Sequence, residues 1–406
     1  MKSSHALAAV AIAMAACTDP LGPRMTAPAS PRRDAIPLTA AAALARYVAV
    51  GTSNSQGAMS AGISAATQRT AWPAQLAARA GVPFALPLFQ DPGCSPPLLP
   101  PLAADAALIA ALGAFGAGDD LVTAIMTTCM PLRAGIVPPT NNLAISGADV
   151  HDMRFTTPAL AAARSARVGT LYSRVLAPGQ TQLSAMLALR PTFVSLEAAA
   201  NDVLPASTGR IAAMTPYASW AADYDAMVAG VASTGARAVL VGLPNNAADF
   251  PSIRRAREFF NEWPYLLTLG VSVSVNCYFS SNYLFIPGYV LSLLQHTPTT
   301  ATCADVPGVV DYVLTASDMS AINARMAQMN AHIQAKATAG GYAYFALSAL
   351  YDLPKPSFKL YDVLFSNTPF GPNISLDGVH PTAAGQSILA GAAAQAIDAR
   401  YGLAIP

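Results

Sequence analysis

The chain has 406 residues, a net charge of +1 and only 11% charged side chains against 53% hydrophobic ones. That balance excludes nucleic acid and other polyanions as partners, because they need clustered Lys and Arg. Much of the apolar content is alanine, and beyond the N-terminus no apolar stretch is long enough to cross a bilayer as a helix, so a soluble body with a large core is expected.

Met1-Lys2 precede the apolar run Ala6 to Ala16, which is too short to span a bilayer and has the length of a signal-peptide core. Ala15-Ala16-Cys17 is similar to the end of a bacterial lipoprotein signal, so Cys17 is expected to carry lipid, with ordinary secretory cleavage nearby as the alternative. Residues 1–17 are read as this signal and 18–43, with Pro20, Pro23, Pro28 and Pro31, as a tether without a core of its own. The expected address is the periplasm or the outer membrane, otherwise the medium, with the N-terminal lipid as the one membrane contact. Cys94, Cys129, Cys277 and Cys303 remain, an even number that suggests disulfides in an exported chain. The local pairing is Cys94 with Cys129 and Cys277 with Cys303, one of three possible, and none of the four has zinc-ligand spacing.

The body, 44–406, opens on Tyr47-Val48-Ala49-Val50, a run of the kind buried on both faces in a parallel sheet. It stops in Gly51-Thr52-Ser53-Asn54-Ser55-Gln56-Gly57, which puts Ser53 in the turn at the strand's carboxyl end, where reacting groups collect in such sheets. A helix is predicted from Ala71, with Pro73 in its first turn. Residues 82–140 lose periodicity and read as an insertion, with one apolar helical piece near 103–114. Asn142 to Ala148 is a second short apolar run, ending at Gly147. Helical pattern follows to about residue 186, and Arg190 to Glu197 is the third strand, running into Asn201-Asp202.

Ser219 to Ser233 is helical and stops at Gly235, and Ala236 to Pro244 is the fourth strand. Residues 249–310 are a second insertion, aromatic at Phe259, Phe260, Trp263, Tyr265, Tyr278, Phe279, Tyr283 and Phe285; either a lid over a cleft or a patch packed on the body has this composition. Ser317 to Ala337 is an amphipathic helix and Tyr342 to Leu347 the fifth strand. Asp377-Gly378-Val379-His380-Pro381 then precede an alanine-rich helix from Thr382 to about Arg400. Alternating strands and helices argue for a doubly wound parallel sheet.

The strand ends bring Ser53, Gly147, Asn201, Asp377 and His380 to one edge, and acyl transfer needs such groups together. A serine hydroxyl needs a base, which neutral His380 can be, and a carboxylate three residues earlier can hold the other imidazole nitrogen. The backbone N–H groups of Ser53 and Gly147 and the Asn201 amide can donate to an oxyanion. Ser55 is the second candidate nucleophile. His151 with Asp152 is a weaker base or metal pair, Asp202 a brace for the Asn201 turn, and His332 a solvated helix residue.

This set resembles the SGNH, or GDSL, hydrolases. Their motif GDSxS is matched by Gly51-Thr52-Ser53-Asn54-Ser55, the second block by Ser146-Gly147, GxND by Ala199-Ala200-Asn201-Asp202 and DxxH by Asp377-Gly378-Val379-His380. Thr52 replaces the family's aspartate, which bears on the turn, and Ala199 replaces a glycine, which bears on the width of the cleft. The resemblance implies a flavodoxin-like three-layer α/β/α sandwich with a central parallel five-stranded sheet, and ester hydrolysis without cofactor or metal. It implies Ser53, His380 and Asp377 as the catalytic set and Ser53, Gly147 and Asn201 as the oxyanion hole. The substrate is expected to be a small-molecule or glycan ester, cleaved by a carboxylesterase or lipase-like enzyme. Removal of O-acetyl groups from a glycan is the alternative within enzymes, and a non-catalytic surface-binding lipoprotein is the alternative outside them.

Overall fold

Tyr47 to Val50 are uncharged and wholly buried, and around them the chain lays a parallel sheet. The computed structural model describes residues 39–105, 129–294 and 299–406. The expected signal peptide, Cys17 and most of the helical piece near 103–114 lie outside the described residues. Ala40–Ala43, inside the stretch expected as a tether, form a helical turn whose Ala43 enters the core beside Leu44. Leu38–Pro406 form one compact unit.

The sheet holds four hydrogen-bonded strands, β1 (Tyr47–Val50), β2 (Phe193–Glu197), β3 (Arg237–Gly242) and β4 (Ala343–Ala346), in that order and all parallel. Five were expected. The missing one, at Asn142 to Ala148, runs beside β1 and bonds to it at Ala49 and Gly51, but makes a single bridge, Ala49 to Asn142. The Gln182 side chain is the reason: its amide nitrogen donates to both Gly51 O and Leu143 O, so the Leu143 carbonyl that should accept Gly51 N–H as the next rung goes to a side-chain bond. Counting that segment, the order in chain sequence is second, first, third, fourth, fifth. The order reverses between β1 and β2, whose carboxyl ends open the crevice where ligands sit in such sheets.

Strand side chains alternate between two cores. Tyr47, Ala49, Phe193, Val239 and Phe345 face α2 (Trp72–Arg79) and α7 (Ala383–Tyr401). Val48, Val50, Val194, Leu196 and Leu240 face a layer holding α3 (Val150–Phe155), α4 (Gln182–Leu189), α5 (Tyr217–Ser233) and α6 (Ala316–Gly340). The buried face of α6 is Met319, Ile322, Met326, Met329 and Ile333, at helical spacing. Thr315 caps it with a box closed by Asp318, and Gly341 ends it with φ +66°.

The described parts of 82–140 are largely irregular and are pinned by the Cys94–Cys129 disulfide. Residues 249–310 hold short helices and strands, among them Ile253–Arg255 and Tyr283–Phe285, which pair antiparallel with each other. The Cys277–Cys303 disulfide closes this region. Its aromatics divide: Phe259 is buried in the core, whereas Trp263, Tyr278 and Phe279 are exposed. Disulfides persist in oxidising compartments, as an exported chain meets. Among the described residues no helix is long and apolar enough to cross a membrane.

Candidate active site

β1 delivers Ser53 to the first position of a one-turn helix, α1 (Ser53–Gln56), which Gly57 ends at φ +89°. A side chain at residue 57 would also meet Thr67 O at 2.7 Å, so glycine is required twice over. The first N–H groups of a helix have no intrahelical acceptor, and that of Ser53 finds no other partner among the described residues. Gly147 has φ +81° with open space where a Cβ would stand, so conformation rather than room selects glycine there. Its N–H is likewise unpaired among the described residues. Asn201 donates one amide hydrogen to Ala148 O at 2.9 Å, which fixes the amide and leaves the second hydrogen of the same nitrogen to give.

Asp377 and His380 share one turn. His380 Nδ1 lies 2.8 Å from Asp377 Oδ2, which also accepts from Ala61 N–H at 2.7 Å. Asp377 Oδ1 accepts from the N–H groups of Val379 and His380 and from the Ser375 hydroxyl. Burial alone would raise this carboxyl, but the imidazole and these donors outweigh it and hold Asp377 down to about 2. For His380, burial pulls down and the charge and hydrogen bond of Asp377 push up, leaving the imidazole above its ordinary value. Nε2 has no protein partner among the described residues, and His380 lines one cavity with Ser53 and Asn201. No hydrogen bond joins the Ser53 hydroxyl to the imidazole, a contact that in hydrolytic sites often tightens only around a bound substrate. A second cavity, beside the first, is lined by Gly147, Asn201, Asp377 and His380.

Ser55 is fully buried and donates to Glu197 at 2.7 Å, so it cannot meet a substrate. His151 and Asp152 do not face one another: His151 pairs with Asp223 and Asp152 with Arg164. Asp202 accepts from Val150 N–H and is pushed up to about 7, first by burial and then by the nearby Asp149 charge. His332, read from sequence as solvated, instead sits half-buried between Tyr217 and Asp225. The reason is that Tyr217, Trp220 and Tyr224 of α5 wall its ring against α6.

Glu197 was not singled out in the sequence. It ends β2, is 2% exposed, and accepts four hydrogen bonds, from the backbone N–H and hydroxyl of both Thr52 and Ser55. Burial pushes it above the usual carboxylate range against the pull of those donors. Thr52, which departs from the GDSxS pattern, is thus the donor that a buried carboxylate from the neighbouring strand requires. Ala199 has φ −164°, outside the left-handed region that favours glycine, and its side chain lines neither cavity. Uncharged amides complete the bracing: Gln182 donates to Gly51 O, Gln56 accepts from Ser146 N–H, and Gln386 joins Asn54 O to Trp72 N–H. The signal for Glu197 and Gln386 was a polar side chain in an otherwise apolar strand or alanine-rich helix; Gln56 and Gln182 lie among other polar residues and carried none.

No family model and no curated protein matches the chain. Among solved structures, it is similar to a mutant of an acetyl-xylooligosaccharide esterase from Geobacillus Stearmophilus, at 12% identity over 86% of this chain and 93% of that one, with a TM-score of 0.35. It is also similar to a protein of Bacillus subtilis, at 17% identity over 66% and 47% of the two chains and a TM-score of 0.30. A third is described as a GDSL-like lipase from Parabacteroides merdae, at 13% identity over 65% and 72%, with a TM-score of 0.29. At TM-scores this far below 0.5, these likenesses carry no weight for fold or chemistry.

Proposed function

We propose that the chain is an exported serine hydrolase of carboxylic esters that works through an acyl-enzyme. Ser53 Oγ attacks the ester carbonyl carbon while His380 Nε2 takes its proton, and Asp377 keeps the imidazole in the tautomer with the proton on Nδ1. The carbonyl oxygen gains the charge, and the N–H groups of Ser53 and Gly147 with the spare hydrogen of Asn201 donate to it. Collapse breaks the bond to the alcohol oxygen, which takes the proton from His380. Water then gives a proton to His380 and attacks the acyl carbon, and the carboxylic acid leaves with Ser53 restored.

One observation carries this reading. An imidazole locked by a fully satisfied carboxylate lines a cavity with a serine at a strand-to-helix turn, beside three donors that have no other use. No metal or cofactor is needed for these steps. The test is labelling with a fluorophosphonate, mapping of the modified serine, and hydrolysis of p-nitrophenyl butyrate. Ser53→Ala should abolish labelling and lower kcat by about 10⁴-fold or more with an unchanged melting curve. A folded protein that hydrolyses no ester and is not labelled would favour the binding lipoprotein instead. Cys17 is proposed as the lipid-bearing first residue of the mature chain, which mass spectrometry of the isolated N-terminus reads directly.

A further inference from the structure

The two cavities meet at the groups assigned to the chemistry: Asn201, Phe285 and His380 line both. They differ in character. One is a narrow slot of about 60 Å³ beyond the carboxyl ends of β3 and β4, walled by Leu243, Ala247, Leu314, Ile322, Met326 and Leu347. The other is a chamber of about 390 Å³ on the β1 side, where Ser146, Thr208 and Arg210 offer polar atoms, with Ser207 lining both. Arg210 is exposed and makes no ion pair among the described residues. Ser53 lines the slot and Gly147 the chamber.

An ester has two halves joined at the reacting carbon, so a site with two compartments meeting there must place one half in each. Resting on the hydrolase reading above, we propose that the slot takes an unbranched apolar acyl chain and the chamber a hydroxylated alcohol portion. The physical grounds are matching of surfaces. A slot walled by aliphatic side chains gains from each methylene taken out of water, and gains little from an acetyl group. It is also too narrow for a sugar ring, whose hydroxyls would find few partners there. The chamber is roomier and carries more polar groups, and its hydroxyls and guanidinium can replace part of the water that a polyol gives up. The substrate class is therefore an acyl ester of a polyol, with acyl chains longer than acetyl.

The experiment compares kcat/KM for acetyl, butyryl and octanoyl esters of one alcohol, then for octanoyl esters of glycerol and of a simple alkanol. The full-length protein and four variants are used. The unaltered protein should prefer octanoyl to acetyl by about tenfold or more, since a pocket discriminates a single methylene by about that much. Met326→Trp and Ala247→Phe fill the slot from two different elements; each should bring the octanoyl-to-acetyl ratio towards one. Thr208→Val and Arg210→Ala should lower the preference for the glycerol ester and leave the chain-length ratio unchanged. An unchanged melting curve and fluorophosphonate labelling at Ser53 show that a slot variant has folded, and the second variant stands in for one that has not. A protein labelled at Ser53 that prefers acetyl, whose ratios neither slot variant changes, would overturn the division alone and favour glycan deacetylation. Absence of both labelling and ester hydrolysis would overturn the division together with the hydrolase reading.

Discussion

Of three histidines held against an aspartate among the described residues, two sit in buried or half-buried surroundings at nearly the same distance, 2.8 Å for His380 and Asp377 and 2.7 Å for His332 and Asp225. Their surroundings differ. Asp225 is 42% exposed and shares its carboxylate with Lys336, while the other face of His332 meets the Tyr217 hydroxyl. Asp377 is 13% exposed, with both oxygens taken by backbone N–H groups and a serine hydroxyl as well as the imidazole. His332 joins α5 to α6 with both ring nitrogens occupied, whereas His380 keeps Nε2 free toward a cavity. A short His-Asp contact is therefore no mark of catalysis. What distinguishes the pair proposed for catalysis is a carboxylate with no remaining freedom and an imidazole whose unused nitrogen faces a cavity shared with Ser53; the third pair, His151 with Asp223, lines neither cavity.

The contrast is most sharply tested by removing each carboxylate's charge. Asp377→Asn should lower kcat by about 10⁴-fold, because the wrong tautomer is held in an otherwise intact site. Asp225→Asn should leave kcat unchanged, and an equal loss at both positions, read with p-nitrophenyl butyrate, would erase the distinction. The pH profile gives the next largest effect. His380 must be neutral to accept the serine proton and its titration is raised, so the acid limb of kcat/KM should lie above 6.5 and fall tenfold per pH unit below its midpoint. With Asp377→Asn the residual activity should show that limb moved to lower pH. For stability the signs are opposite. The His380 contribution is present below its unfolded value and lost as pH rises through its raised folded one, while that of Asp377 is present above the ordinary carboxylate value and lost as pH falls toward about 2.

A smaller effect is expected where no reacting atom is touched. Glu197→Gln replaces an acceptor of four donors by an amide that brings two hydrogens of its own into the same space. It should destabilise the fold by about 2–3 kcal/mol, visible as a lower urea midpoint, with a fall in kcat far short of that for Asp377→Asn. An unchanged midpoint would mean that the carboxylate is not what holds the serine turn.

How much of this was legible in the chain follows from the range of the interactions. Four of the five expected strands, the long α6 and α7, and the strand ends that carry Ser53 and Asn201 are written in local patterns of burial and turn residues, and they could be read. The bracing was not legible, because its partners are far apart in sequence: Glu197 reaches Thr52 across 145 residues and Gln386 reaches Asn54 across 332. A lone glutamate ending a neutral strand looks like a strand end until the neighbouring turn is known. The second expected strand failed for a related reason, since Gln182, 39 residues further on, takes the Leu143 carbonyl that periodicity assigns to a ladder.

Thr52 allows the finest test of the bracing. Thr52 gives Glu197 a hydroxyl at 2.6 Å and a backbone N–H at 3.2 Å, and only the first depends on the side chain. Thr52→Val keeps the shape and the backbone bond and removes one donor of four, so it should cost about 1 kcal/mol of stability. Thr52→Ser keeps the hydroxyl and should cost less. Both should leave kcat within about twofold, since Ser53 and its N–H do not depend on that hydroxyl. If the two variants proved equally stable by urea unfolding, the hydroxyl at this departure from GDSxS would be incidental and the backbone donors and Ser55 alone would hold the buried carboxylate.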